Sequence, residues 1–168
     1  FEKEEKIFNP FELSYLGGDA HAFADHNRPL FVAIGNNQVR CQIVQKLMSL
    51  NFHGFNIIDG QSILSKHSSL GIFNYIAKGA VIQTRVQMGN GCIINSGAVI
   101  DHECEIADFA HISPNATLCG GVKIGQRTWV GAGAVIKEGV QIGSDVIIGA
   151  GSVVLKNVPD GITCFGVP

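Results

Sequence analysis

Residues 70–125 read LGIFNYIAKGAVIQTRVQMGNGCIINSGAVIDHECEIADFAHISPNATLCGGVKIG. From Leu70 onward every sixth residue is aliphatic, and the series runs without a slip through Ile76, Ile82, Met88 and Ile94 to Ile148 and Val154, fifteen positions in all. With 46% of the chain hydrophobic, such a run would arise by chance roughly once in 10⁵ trials. A second series, four residues further on in each hexad, holds mostly small residues: Ala80, Val86, Cys92, Ala98, Cys104, Ala110 and onward to Val158. An α-helix cannot serve a period of six, because about 3.6 residues per turn would carry the apolar stripe around the helix and expose half of it. A coil of short strands can. Each hexad makes one flat side, with a bulky aliphatic and a small residue inside, and three sides make a triangular coil of about 18 residues. Residues 70–159 then supply five coils, a prism roughly 24 Å tall at about 4.8 Å per coil. A sandwich of ordinary strands would show period two and longer loops, and neither is present.

The 21 glycines, concentrated after residue 70 among Ile and Val, agree with many tight corners between short strands. Residues 29–58 differ. An apolar run, PLFVAIG, precedes NNQVRCQIVQKLMSLNF, in which Val39, Ile43, Leu47 and Leu50 follow helical spacing and Asn36 or Asn37 is placed to cap the start. The short run FNII follows, so the segment reads as strand, helix, strand in a small α/β lobe with a parallel sheet. The expected organisation is therefore a lobe over residues 1–62 and a β-helix over 63–168. Residues 9–28 read as loop with one helical turn. No G-x-G-x-x-G is present and the chain begins at Phe1 without a methionine, so an earlier βα unit is expected to belong to the lobe.

A net charge of −2 and a charged fraction of 15% leave no broad basic surface, which argues against nucleic acid and membrane headgroups as partners. No run of about 18 apolar residues is available to span a bilayer, and FEKEEKIFNP lacks the pattern of a signal peptide, so the protein is read as cytoplasmic. Five cysteines without a C-x-x-C pair are expected to be reduced thiols, neither a disulfide framework nor a zinc site.

The chemistry-bearing stretch is DHECEIADFAHISPNA, residues 101–116. His102 and His111 both fall off the inward ladders and point outward, with carboxylates at Asp101, Glu103 and Glu105 beside them. Residues one coil apart lie above one another, so His102 has Thr84 beneath it and Gly120 above. The missing side chain at Gly120 leaves room beside the imidazole. The column Ser96, Pro114, Ala132 and Ala150 is small throughout, and a shallow furrow suited to an extended molecule such as a pantetheine arm is expected along the prism. Small residues merely sitting at corners remain the alternative. Zinc needs at least three convergent ligands and only two histidines are at hand, so no metal is expected. The IGNN turn, residues 34–37, closes a strand and opens a helix, where backbone N–H groups favour an anionic or strongly polar ligand, making Gly35 and Asn36 candidates for substrate binding.

The segment from Gly35 to Arg40, the run INSGAVIDHECEIADFAHISPNATLCGGVKIG (94–125) and the close VPDG…FGVP (158–168) together resemble the bacterial hexapeptide-repeat nucleotide-sugar acyltransferases. They are most similar to N-acetyltransferases for UDP-4-amino-4,6-dideoxy sugars, with perosamine N-acetyltransferases and sialic acid O-acetyltransferases as relatives. The resemblance implies a left-handed parallel β-helix, a homotrimer with active sites between adjacent prisms, acetyl-CoA as cosubstrate and a nucleotide-linked amino sugar as acceptor. It implies that His102 is the general base, that Glu103 raises its basicity, that His111 contacts the acetyl end of acetyl-CoA, and that Ala132 and Ala150, with Gly120 beside them, lie along the coenzyme. Gly35 matches a contact to the sugar nucleotide. The sugar amine would attack the thioester carbonyl directly while His102 takes its proton. A hydroxyl acceptor, or a non-catalytic trimeric scaffold, are the alternatives to be separated by experiment.

Overall fold

The structure is a computed structural model that describes residues 29–168. The reading of residues 9–28 as loop with one helical turn falls outside the described residues. From Ile57 onward the chain winds through two-residue strands into three parallel sheets, and successive coils pair at a spacing of one full turn, Ile57 with Tyr75 and His111 with Trp129. The first face has seven strands, beginning with β1 (Ile57–Ile58) and including β10 (His111–Ile112) and β13 (Trp129–Val130); the second has six, including β8 (Val99–Ile100) and β11 (Thr117–Leu118); the third has five, including β9 (Glu105–Ile106) and β12 (Lys123–Ile124). This is a solenoid of about six turns, the left-handed parallel β-helix.

Both inward ladders are where the hexads place them. Ile76 to Val154 in the aliphatic series and Ala80 to Val158 in the small series are all buried and form one continuous core. Each side ends in a corner residue with positive φ, every sixth position from Phe73 to Gly151, between 56° and 71°. Seven of these, Phe73, Arg85, Glu103, Phe109, Asn115, Arg127 and Asp145, are not glycine and hold a conformation that costs an L-residue about 1 kcal/mol or more. The coil repeats so regularly that the backbone dictates this angle whatever the side chain.

Coiling starts two sides before Leu70, at Ile57–Ile58. The FNII segment, expected as the second strand of the lobe, instead forms the first rung of the prism: the Ile57 N–H donates to the Asn74 carbonyl (2.9 Å), and the Asn56 side chain ties the rung above through the Asn74 N–H (2.8 Å) and the Gly71 carbonyl (2.8 Å). The aliphatic ladder simply extends downward through Leu64 and Ile58. Among the described residues the lobe's parallel contact is a single bridge, Leu30 with Gly54.

Helix α1 (Asn37–Ser49) is capped by Asn36, whose side-chain oxygen accepts from the Val39 N–H (3.0 Å). Its apolar face, with Cys41, Val44 and Leu47, packs with Val32 and Phe52 on Phe73 and Phe109, two aromatic corner residues where the third face turns into the first. One edge of the prism therefore carries the lobe. The other two edges border the second face. Among the described residues no helix is long and apolar enough to cross a membrane.

Candidate active site

His102 and Glu103 occupy the corner between the second and third faces. The sequence DHEC turns here because the Asp101 carboxylate accepts from the His102 N–H (2.7 Å) and Glu103 takes the left-handed corner angle of 60°. His102 Nδ1 stands 3.5 Å from Glu103 Oε2, with the imidazole 56% exposed. Gly120 lies directly over the ring: a Cβ there would sit 2.6 Å from Cε1 and 2.7 Å from Nε2. Coil stacking predicts this neighbour, and any side chain at Gly120 would have to displace the imidazole. The next amide, Gly121 N–H, is committed to the His102 carbonyl (2.9 Å). Glu105, grouped with this cluster by sequence, points out from the third face and pairs with Lys123 (2.9 Å). Cys104 is buried inside the prism, its thiol pushed up to about 11 chiefly by burial, and Cys92 to about 12 for the same leading reason, so neither is a thiolate near neutrality.

His111, Ala132 and Ala150 come together in a separate groove of about 500 Å³ at the edge between the first and second faces, with Asn95, Ser113, Pro114, Trp129 and Ile147 completing its walls. The His111 ring stacks on Trp129, centroids 5.7 Å apart and planes 9° from parallel, and the Trp129 indole N–H donates to Ser113 Oγ (2.6 Å). The Asn95 amide meets His111 Nε2 at 3.3 Å; with the amide donating, Nε2 is the acceptor and the proton resides on Nδ1. Burial, and secondarily the positive charge of Arg40, lower the His111 pKa to about 4, so the ring is neutral at neutral pH. Gly120 is not part of this groove. It belongs with His102, one prism side away, and in a single chain the two halves of the expected site lie on opposite edges of the second face. A larger trough of about 740 Å³ runs along the third face, but Gln87, Glu105, Lys123 and Gln141 line it and neither histidine reaches it.

Gly35 and Asn36 stand at the start of α1. Gly35 has no positive φ, and a Cβ there would meet nothing within 4 Å, so a tight turn is not the reason for glycine. Its open side faces a cleft of about 300 Å³ shared with Asn37, Arg127, Trp129 and Asp145. The loop is held by Arg40, 1% exposed, whose guanidinium donates to the carbonyls of Gly91 (2.7 Å), Phe109 (2.9 Å), Ile34 (2.9 Å) and Gly35 (3.0 Å) and to Asn37 Oδ1 (2.8 Å). Asn37 in turn donates to the Arg127 carbonyl (2.9 Å). Burial lowers the Arg40 pKa to about 10, still far above neutrality, so the charge is retained. Among the described residues no group of three His, Cys, Asp or Glu side chains could hold a metal ion.

Residues 121–156 match the family described as bacterial transferase hexapeptide (six repeats). No curated protein matches by sequence. Among solved structures, PerB from Caulobacter crescentus in complex with CoA and GDP-perosamine is 38% identical, with 82% of this chain and 67% of that chain covered at a TM-score of 0.81. The chain belongs to the hexapeptide-repeat nucleotide-sugar acyltransferase family. The acetyltransferase domain of PglB from Neisseria gonorrhoeae, in complex with acetyl coenzyme A, is 35% identical over 81% of this chain and 66% of that one (TM-score 0.79), and WeeI from Acinetobacter baumannii is 26% identical over 82% and 68% (TM-score 0.78). The chain spans 66% of the length of a His-to-Asn variant of the Caulobacter perosamine N-acetyltransferase, to which it is 37% identical.

Sequence reasoning missed Trp129, Asn95 and Ser113 as groove walls. Trp129 was within reach, since the rule that set Gly120 over His102 also sets Trp129 over His111. Arg40 stood in the quoted motif without a role, because nothing in a sequence says which distant carbonyls a buried guanidinium will find.

Proposed function

We propose that the protein is an acetyl-CoA-dependent N-acetyltransferase acting on the amino group of a nucleotide-linked 4-amino-4,6-dideoxy sugar, and that it works in the cytoplasm as a homotrimer. One observation carries the reading: the His102 corner and the His111 groove flank the two edges of one bare apolar face. Ile63, Val81, Val99, Thr117, Val135 and Val153 project from that face, Ile63 at 64% exposure, while Ser69, Gln87, Glu105, Lys123 and Gln141 project from the third. Three prisms turning the second face toward a common axis would each set one edge against the other edge of the next, a heterologous contact that closes in a ring of three. His102 of one copy would then face the groove of its neighbour. The relatives solved with CoA or acetyl-CoA, and with GDP-perosamine, favour the same substrates, and five free cysteines suit a reducing compartment.

In this mechanism the groove of small residues at Ala132 and Ala150 receives the pantetheine arm and brings the thioester to His111. The neutral His111 ring, its Nε2 engaged by Asn95, offers Nδ1–H to the carbonyl oxygen as negative charge develops there. The sugar amine attacks the thioester carbon, His102 Nε2 accepts its proton and Glu103 stabilises the resulting imidazolium; the tetrahedral intermediate then collapses with cleavage of the C–S bond, and coenzyme A leaves as the thiolate, which takes up a proton. Gly35 and Asn36 hold the nucleotide side of the acceptor. The test is a thiol-release assay with acetyl-CoA and amino-sugar nucleotides beside hydroxyl-bearing analogues, run on the wild type and on His102→Ala. Turnover should fall at least about 10²-fold in the variant with coenzyme affinity unchanged. Equal turnover in His102→Ala removes that residue from the chemistry; preference for hydroxyl acceptors selects O-acetylation; no coenzyme binding leaves a trimeric scaffold.

A further inference from the structure

Glu103 has a second partner. Its Oε1 takes an ion pair from Arg85 Nη1 at 2.5 Å, while Oε2 is the oxygen that faces His102. The arrangement follows from the coil. Arg85 and Glu103 are corner residues of successive turns with φ of 58° and 60°, so superposable backbones launch both side chains in the same direction, one rung apart at about 4.8 Å. Arg127 and Asp145 are built alike, with φ of 56° at both, but that pair closes on itself. Arg127 Nε takes Oδ1 at 2.7 Å and Nη2 takes Oδ2 at 2.6 Å, so both carboxylate oxygens are spent. At the His102 corner the arginine takes one oxygen only.

We propose that Arg85 is a positioning residue for His102, an inference that rests on His102 being the general base. By clamping Oε1, Arg85 fixes the Glu103 carboxylate so that Oε2 stays opposite Nδ1. That holds the proton on Nδ1 and turns the Nε2 lone pair outward, where an acceptor's proton would be taken. Gly120 stacks on the ring from above, and with Arg85 acting through Glu103 the imidazole is restrained from both sides. Arg85 is not there for stability. With side chains 72% and 49% exposed, this ion pair is of the solvent-screened kind that adds little to stability.

The test measures kcat and the KM values for acetyl-CoA and acceptor in the wild type, Arg85→Met, Arg85→Lys, Glu103→Gln and the Arg85→Met/Glu103→Gln double variant. Thermal melting would confirm that all are folded. Arg85→Met should lower kcat about threefold to tenfold, the size of coupling expected within one charged network, with the KM for acetyl-CoA unchanged. Arg85→Lys, which keeps the charge within reach of Oε1, should recover most of the loss. In the Glu103→Gln background Arg85→Met should add nothing further, because Arg85 acts through that carboxylate. Wild-type kcat in Arg85→Met, or a loss that multiplies with that of Glu103→Gln, overturns the inference while leaving the acetyltransferase reading intact. Absence of transfer by the wild type, or full activity of His102→Ala, overturns both.

Discussion

Adding a methyl group at Gly120 tests the site more sharply than removing any of its functional groups. The new Cβ would lie 2.6 Å from His102 Cε1, 2.7 Å from Nε2 and 3.3 Å from Nδ1. Non-bonded carbon atoms sit comfortably at about 3.5–4.0 Å, so the ring must retreat by about 1 Å. The obstacle is the end of an exposed side chain rather than backbone, and Gly120 is absent from the positive-φ residues, so the fold accepts alanine. Restricting the unfolded chain should even stabilise the protein by about 0.4–1 kcal/mol. That corresponds to a melting temperature unchanged or raised by about 2–4 °C for a chain of this size. Catalysis is expected to respond differently, because a displacement of about 1 Å at a reacting group can cost about 10²-fold. The assay is thiol release from acetyl-CoA with the amino-sugar nucleotide, read beside thermal melting. Gly121→Ala provides the contrast: its φ of 68° penalises any side chain, yet nothing stands within 4 Å, so it should lose stability more than turnover. Turnover of Gly120→Ala within threefold of the wild type, or a loss that merely follows a melting temperature lowered by more than about 5 °C, would refute the packing argument.

Two other consequences concern the interior and the groove. Ser152 Oγ is buried inside the prism without a hydrogen-bond partner among the described residues, whereas Thr128 on the same ladder donates to the Gly143 carbonyl at 2.6 Å; Ser152→Ala should therefore raise stability by about 1 kcal/mol and Thr128→Val should lower it, and a melting temperature that falls in Ser152→Ala contradicts this. His111 titrates at about 4 in the folded chain against about 6.5 when unfolded, so between those values the unfolded chain binds the extra proton and stability rises with pH, the gain being complete above about 6.5. Replacing His111 by Asn should flatten the melting temperature between pH 4 and 6.5, and an unchanged slope would show that another group is responsible.

How far the sequence could be read follows from how the coils touch. A solenoid brings residue i against i + 18 by simple translation, so a six-residue period suffices to say what is inside, what is outside and what lies above what. That is why Gly120 could be set over His102, and why Trp129 could have been set over His111. The same rule also sets Lys123 over Glu105, so the ion pair that takes Glu105 away from His102 was legible as well, whereas grouping Glu105 with His102 by nearness along the chain ignored the corner between them.

The amino-acid sequence by itself determined the prism, its buried ladders, the outward direction of both histidines and the capped helix, since each depends on local propensity or on a repeated offset. Only the tertiary structure decided that the FNII segment joins the first rung, that the lobe rides on Phe73 and Phe109, and that His102 and the His111 groove stand on opposite edges of one face. Docking of the lobe has no period: Arg40 finds its carbonyls 51 and 69 residues away, at Gly91 and Phe109, through desolvation and hydrogen-bond geometry that no spacing encodes.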